Sequence, residues 1–98
     1  MRAKTKCVFN GIECFVDFLK YPNGTNAIQL TEKESGNPYI TVSTYISGIK
    51  LLDDEAVIKN YAKNNGVFEA LVEQGIIKPT GRYAGSPLRP IAKIARAN

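Results

Sequence analysis

Residues 79–87, PTGRYAGSP, gather two hydroxyls, an arginine, a tyrosine and two glycines, with nothing that packs a core. Thr80 and Ser86 can donate to an anion, Arg82 presents a planar fork of N–H donors, and Gly81 and Gly85 let backbone approach closely. The stretch lacks the G-x-x-x-x-G-K spacing of a phosphate-binding loop and opens no helix. The same glycines and prolines serve plain turn geometry between two late strands. In that case Arg82 would pair with an acid such as Glu69 or Glu73 on a neighbouring helix.

The remaining reactive residue types are sparse. There is no histidine, which removes the commonest general base and most zinc sites. Cys7 and Cys14 are spaced neither as C-x-x-C nor as half of a four-thiolate site, and on one hairpin face they read as small apolar core residues. Asp53-Asp54-Glu55 points its acids in different directions in any regular element, so a solvated loop is expected instead of an oxygen cage. Glu13 and Asp17 lie roughly 13 Å apart by strand rise, too far for a carboxylate pair. No cofactor is expected, and no enzyme activity, since catalysis needs a nucleophile or an acid–base pair held in a cleft.

The charge of +4 is unevenly placed. Residues 1–6 hold Arg2, Lys4 and Lys6, and residues 78–98 hold Lys78, Arg82, Arg89, Lys93 and Arg96, with no acid in either segment. The middle carries five lysines against nine acids, so the chain runs +3, −4 and +5. If the terminal strands lie side by side, Arg2, Lys4, Lys6, Thr80, Arg82, Tyr83, Arg89 and Lys93 form a basic surface for an acidic protein partner or a polyanion. Frayed, solvated ends are the plain alternative.

These groups need elements to position them. At 98 residues, with 44% hydrophobic and 22% charged residues, one domain spanning 1–98 with one modest core is expected. Asn10-Gly11 signals a type I′ hairpin, and counting from it sets Phe9 against Ile12, Cys7 against Cys14, Thr5 against Val16 and Lys4 against Asp17. A third strand is expected over 26–32 and a fourth over about 39–46, with Ile40, Val42 and Ile46 on one face and Tyr39, Thr41, Ser43 and Tyr45 on the other. Residues 53–63 suit a capped helix or a strand; the strand, over about 56–61, is preferred because a helix start follows at once at Asn64. One short helix over about 65–74, closed by Gly75, precedes a short strand from Ile76 and an extended segment over 89–95. The expected fold is α+β, a mainly antiparallel sheet with one short helix. No apolar run approaches the roughly 18 residues that span a bilayer, and Asn10, Gly11 and Glu13 interrupt any leader-like stretch. A cytoplasmic protein is expected, with homo-oligomers left open.

The segments FNG, AIQL, GNPYITVS and IKNYAKNNGVFEALVEQGIIKPTGRY resemble an uncharacterised family of small proteins common on bacterial plasmids, conjugative elements and prophages. The match covers nearly the whole chain and rests best on Lys59, Tyr61, Asn64, Gly66, Leu71, Gly75, Thr80, Gly81 and Arg82. Family members often carry an acid just before the asparagine, where this chain has Lys63, so an acid-dependent role there does not carry over. The resemblance implies a strand before the helix and a mobile-element setting, and it brings no activity. The expected function is a small non-enzymatic interaction protein binding a protein of the bacterial host, with inhibition of a defence system such as CRISPR as a special case. The alternative is a nucleic-acid-binding accessory protein using the basic ends.

Overall fold

A type I′ turn needs two residues at positive φ, and Asn10 and Gly11 supply 54° and 76°. The computed structural model describes residues 5–95. In it β1 (Thr5–Phe9) and β2 (Ile12–Lys20) pair antiparallel, with Cys7 opposite Cys14, Thr5 opposite Val16 and Phe9 opposite Ile12. The expected pairing of Lys4 with Asp17, and Arg2 with it, lies outside the described residues. β3 (Asn26–Glu32) and β4 (Pro38–Thr41) complete a meander in the order β1-β2-β3-β4. Its inner face carries Cys7, Cys14, Val16, Ile28, Leu30 and Ile40, all buried.

The stretch expected as one fourth strand is two, because the chain crosses between sheets at Val42. β5 (Ser43–Thr44) opens a second antiparallel sheet with β6 (Glu55–Ile58), β7 (Ile77–Ala84) and β8 (Arg89–Ile94), ordered β5-β6-β8-β7. Two expected faces change as a result. A bulge opposite Leu30 and Thr31 turns Tyr39 toward the core beside Ile40, where its ring lies 6.5 Å from Phe9. Ile46 leaves the company of Val42 and packs instead on the far side of the second sheet.

That second sheet is covered on both faces, which explains why β6 shows no alternation: Glu55, Ala56, Val57 and Ile58 are all buried. Ala56 and Ile58, with Ala92 of β8, face the main core shared with the first sheet. Val57 and Ile91 face outward under Ile46, Ile49 and Leu51 of the β5–β6 connection. Asn26 ties the sheets together. Its Nδ2 donates to the carbonyls of Asp53 (2.7 Å) and Glu55 (3.0 Å), and its Oδ1 accepts from Lys20 Nζ at 2.6 Å.

The helix α1 (Val67–Glu73) is shorter than expected and starts differently. Asn64 is not its cap. It sits buried in a 3₁₀ turn (Ala62–Asn64) and donates from Nδ2 to Thr41 O at 2.7 Å, while Gly66 at φ 90° leads into the helix. The far end is as expected: Gly75 N donates to Val72 O and Ile76 N to Leu71 O, a Schellman closure with Ile76 and Leu71 both fully buried. Gln74 then reaches β1, its amide both donating to and accepting from the Val8 backbone at 2.9 Å, which occupies part of an open sheet edge. The fold is α+β and mainly antiparallel β. No helix among the described residues is long and apolar enough to cross a membrane.

Candidate functional site

The stretch 79–87 is mostly strand. β7 runs through Thr80, Gly81, Arg82 and Tyr83 to Ala84 and pairs with β8, and a register shift between Pro79 and Tyr83 bulges residues 80–82 out of the ladder. Thr80 closes that bulge: its Oγ1 donates to Ile91 O at 2.6 Å and accepts from Arg82 N at 3.2 Å. Tyr83 stands opposite Pro90 and is 60% exposed. The condition for one basic surface, terminal strands side by side, is not met among the described residues, since β1 edges the first sheet while β8 lies between β6 and β7 in the second. Lys6 is exposed on β1, away from the hairpin arginines in the strand order.

The outer face of the second sheet reads across β6 and β8 as Glu55 beside Lys93 and Val57 beside Ile91. The chain stays extended to Tyr61 (φ −136°, ψ 172°), so Lys59 and Tyr61 continue the same parity toward Arg89. The apolar middle of this face is covered; its two ends are not.

At one end Glu55, though part of an acidic run, is buried. Its Oε2 accepts from Arg82 Nη2 and its Oε1 from Leu52 N at 2.9 Å. The expected partners Glu69 and Glu73 are replaced by this acid because the bulge turns Arg82 toward β6. The Arg82 hydrogen bond holds the Glu55 carboxyl below the usual carboxylate range, against the opposing effect of burial. Asp54 pairs with Lys93 at 3.5 Å. Glu55 and Arg82 line an open groove of about 790 Å³ with Ile49, Lys50, Leu52 and Thr80.

At the other end, Arg89 Cζ lies 5.3 Å and Lys59 Nζ 5.5 Å from the Tyr61 ring centroid, and Arg89 Nη2 donates to Tyr61 Oη at 3.2 Å. Arg89 Nε is buried without a hydrogen-bond partner among the described residues. Gly85 holds φ at 82°, a conformation that favours glycine, and a Cβ there would displace the Arg89 guanidinium. Lys59 and Lys63 also line a pocket of about 260 Å³ with Tyr39, Thr41, Gln29 and Asn64. No acid among the described residues pairs with Lys59, Lys63 or Arg89. The segment is firmly held: Lys59 N donates to Val42 O at 2.7 Å, and Asn64 anchors the turn that follows.

The structure therefore splits the expected basic surface. Thr80 and Arg82 share the groove, Lys93 faces Asp54, Arg89 joins Tyr61, and Tyr83 stands apart. Lys59, Tyr61 and Lys63 were not among the expected binding residues; strand parity puts Lys59 and Tyr61 on one face, whereas Lys63 follows Ala62 at positive φ inside the 3₁₀ turn and reaches the pocket from there. The thiols offer no nucleophile at neutral pH: burial, with Cys14 opposite, pushes Cys7 up to about 12, and burial raises Cys14 as well. No group of three metal-ligating side chains occurs among the described residues. No family model, curated protein or solved structure matches this chain.

Proposed function

We propose that this is a small binding protein that works by occupying an acidic protein partner in the cytoplasm of a bacterial host, without chemistry of its own. The observation that carries this reading is the end of the second sheet where Lys59 and Arg89 flank the Tyr61 ring, with Lys63 beside Lys59 in the adjoining pocket and no described acid paired with any of the three cations. A rigid aromatic with flanking cations gives contact area, orientation and charge complementarity at low entropic cost. The phage or mobile-element setting rests on the family resemblance, and inhibition of a defence system such as CRISPR is the special case within it.

A nucleic-acid ligand is the second reading, favoured by the same tyrosine, whose ring could stack a base between cations. The two separate in one comparison. The protein should retain one partner from nuclease-treated host lysate, and Lys59→Glu with Arg89→Glu should lose it while the fold is kept. Loss of the partner on nuclease treatment, together with binding of a single-stranded oligonucleotide whose log–log salt slope is about −0.7 per phosphate contacted, would transfer the function to nucleic acid.

A further inference from the structure

We propose that the Arg82 groove is a second binding site, specific for a single carboxylate carried on an apolar body. It is independent of the Lys59–Arg89 face. The floor of the groove is the Glu55–Arg82 pair, one wall is the connection carrying Ile49, Lys50 and Leu52, and the other is the β7 bulge at Thr80. Its volume of about 790 Å³ falls in the range of small-ligand sites.

Three features define the ligand. First, Arg82 spends one nitrogen on Glu55, and no other hydrogen bond from its guanidinium is made among the described residues, so the rest of the fork faces a half-exposed groove. A buried carboxylate behind an arginine fixes the guanidinium plane, and the free edge then suits a second carboxylate in bidentate geometry. Second, the lining charges are Arg82 and Lys50 against Glu55, a net +1 that one monoanion neutralises. Asp54 does not compete, being paired with Lys93. Third, the wall beside these cations is apolar: Leu52 is 67% exposed, and Ile49 is held in place by packing over Val57 and Ile91. Leu52 N also donates to Glu55, so the wall and the cation share one anchor. A carboxylate with an aliphatic tail matches charge and surface together. Such a group occurs at a peptide C-terminus ending in an apolar residue, or in a free aliphatic acid.

The test is titration of the ¹⁵N-labelled protein at neutral pH with acetyl-Ala-Ala-Leu as free acid, the same peptide as C-terminal amide, and octanoate. The free acid or octanoate should give saturable amide shifts at Thr25, residues 49–52, Thr80 and Arg82, with the amide about tenfold weaker or worse, as loss of one charge-assisted contact implies. Lys50→Ala, on an exposed position, should weaken binding by a similar factor without unfolding the protein. Arg82→Lys keeps a cation over Glu55 and should weaken it further through loss of the fork. Peptide binding alone assigns the source to a chain terminus, octanoate alone to a free acid, and either upholds the site. The absence of shifts at these residues, equal binding of acid and amide, or Lys50→Ala titrating like the unaltered protein would overturn it.

Discussion

Arg82 and Arg89 lie on one hairpin, at opposite ends of one sheet face, and do different work. Arg82 has a buried acid beneath it, and Arg89 shares the Tyr61 ring with Lys59. The first cation is needed because Glu55 would otherwise be a buried carboxylate without an ion-pair partner in contact, the neighbouring Lys93 being paired with Asp54. The second adds charge to a place that already has an excess. A formal count of +4 does not separate these roles; what each guanidinium faces does. The Arg82 end holds a buried acid in the fold and lines the proposed carboxylate groove, while the Arg89 end is where the proposed macromolecular partner would dock.

The largest expected effect tests the acid. Glu55→Gln keeps the shape but removes the charge that orders Arg82 and Leu52, and should cost about 1–3 kcal/mol in chemical denaturation. The pH dependence has a definite sign. Because the folded carboxyl sits below its unfolded value of about 4.3, its stabilisation is present above that pH and is lost as pH falls through the lower folded value. The unaltered protein should therefore lose its advantage over Glu55→Gln on acidification from neutral pH into that window. A stability difference that stays constant across the window would break the assignment of Glu55 as a structural acid.

A smaller contrast separates the arginines directly. Arg82→Ala should lower the thermal midpoint, since Glu55 loses its counter-charge, and by more than Arg89→Ala does. Arg89→Ala gives up a half-buried cation–π contact and two long hydrogen bonds but leaves no buried charge unpaired, and should stay within about 1 kcal/mol of the unaltered protein, while partner binding falls. If the two variants melt alike, the two ends of the face are equivalent and the division of labour fails.

Much of the first sheet was legible because its signals are local. Asn10-Gly11 and period-2 alternation set the β1–β2 register, and Gly75 marked the helix end. The second sheet was less legible because its determinants are distant. Glu55 sits in an acidic run that reads as loop, and it becomes structural through an arginine far along the chain. β6, buried on both faces, carries no alternation; the strand expected over about 56–61 is present as Glu55–Ile58, but nothing in its pattern showed which strands it pairs with. The glycines and prolines of 79–87 read as a loop because a bulged strand uses the same residues as a turn. The i, i+2 spacing of Lys59 and Tyr61 was visible, but Lys63 joins them through a turn the sequence does not announce, and adding Arg89 required knowing that β8 lies beside β6.

The smallest expected effect concerns the backbone at the Arg89 end. Ala62, between Tyr61 and Lys63, holds φ at 56°, a left-handed conformation that an L residue with a Cβ adopts at a cost of about 1 kcal/mol or more. Asn10 is the other non-glycine residue at positive φ among those described, and its turn calls for that conformation. Nothing local calls for alanine at position 62. The surroundings enforce the conformation through the Asn64 side chain on Thr41 and the turn bonds from Asn64 N to Tyr61 O and Asn65 N to Ala62 O. Ala62 is exposed, so removing its methyl sacrifices little packing. Ala62→Gly should therefore stabilise the fold by up to about 1 kcal/mol, less the entropy glycine restores to the unfolded chain. If the strained turn presets Lys59, Tyr61 and Lys63 for a partner, the more stable variant should also bind more weakly, because glycine permits conformations that disperse the three side chains. A variant that gains stability and binds as before would reduce Ala62 to a tolerated strain and leave the recognition end resting on its charges alone.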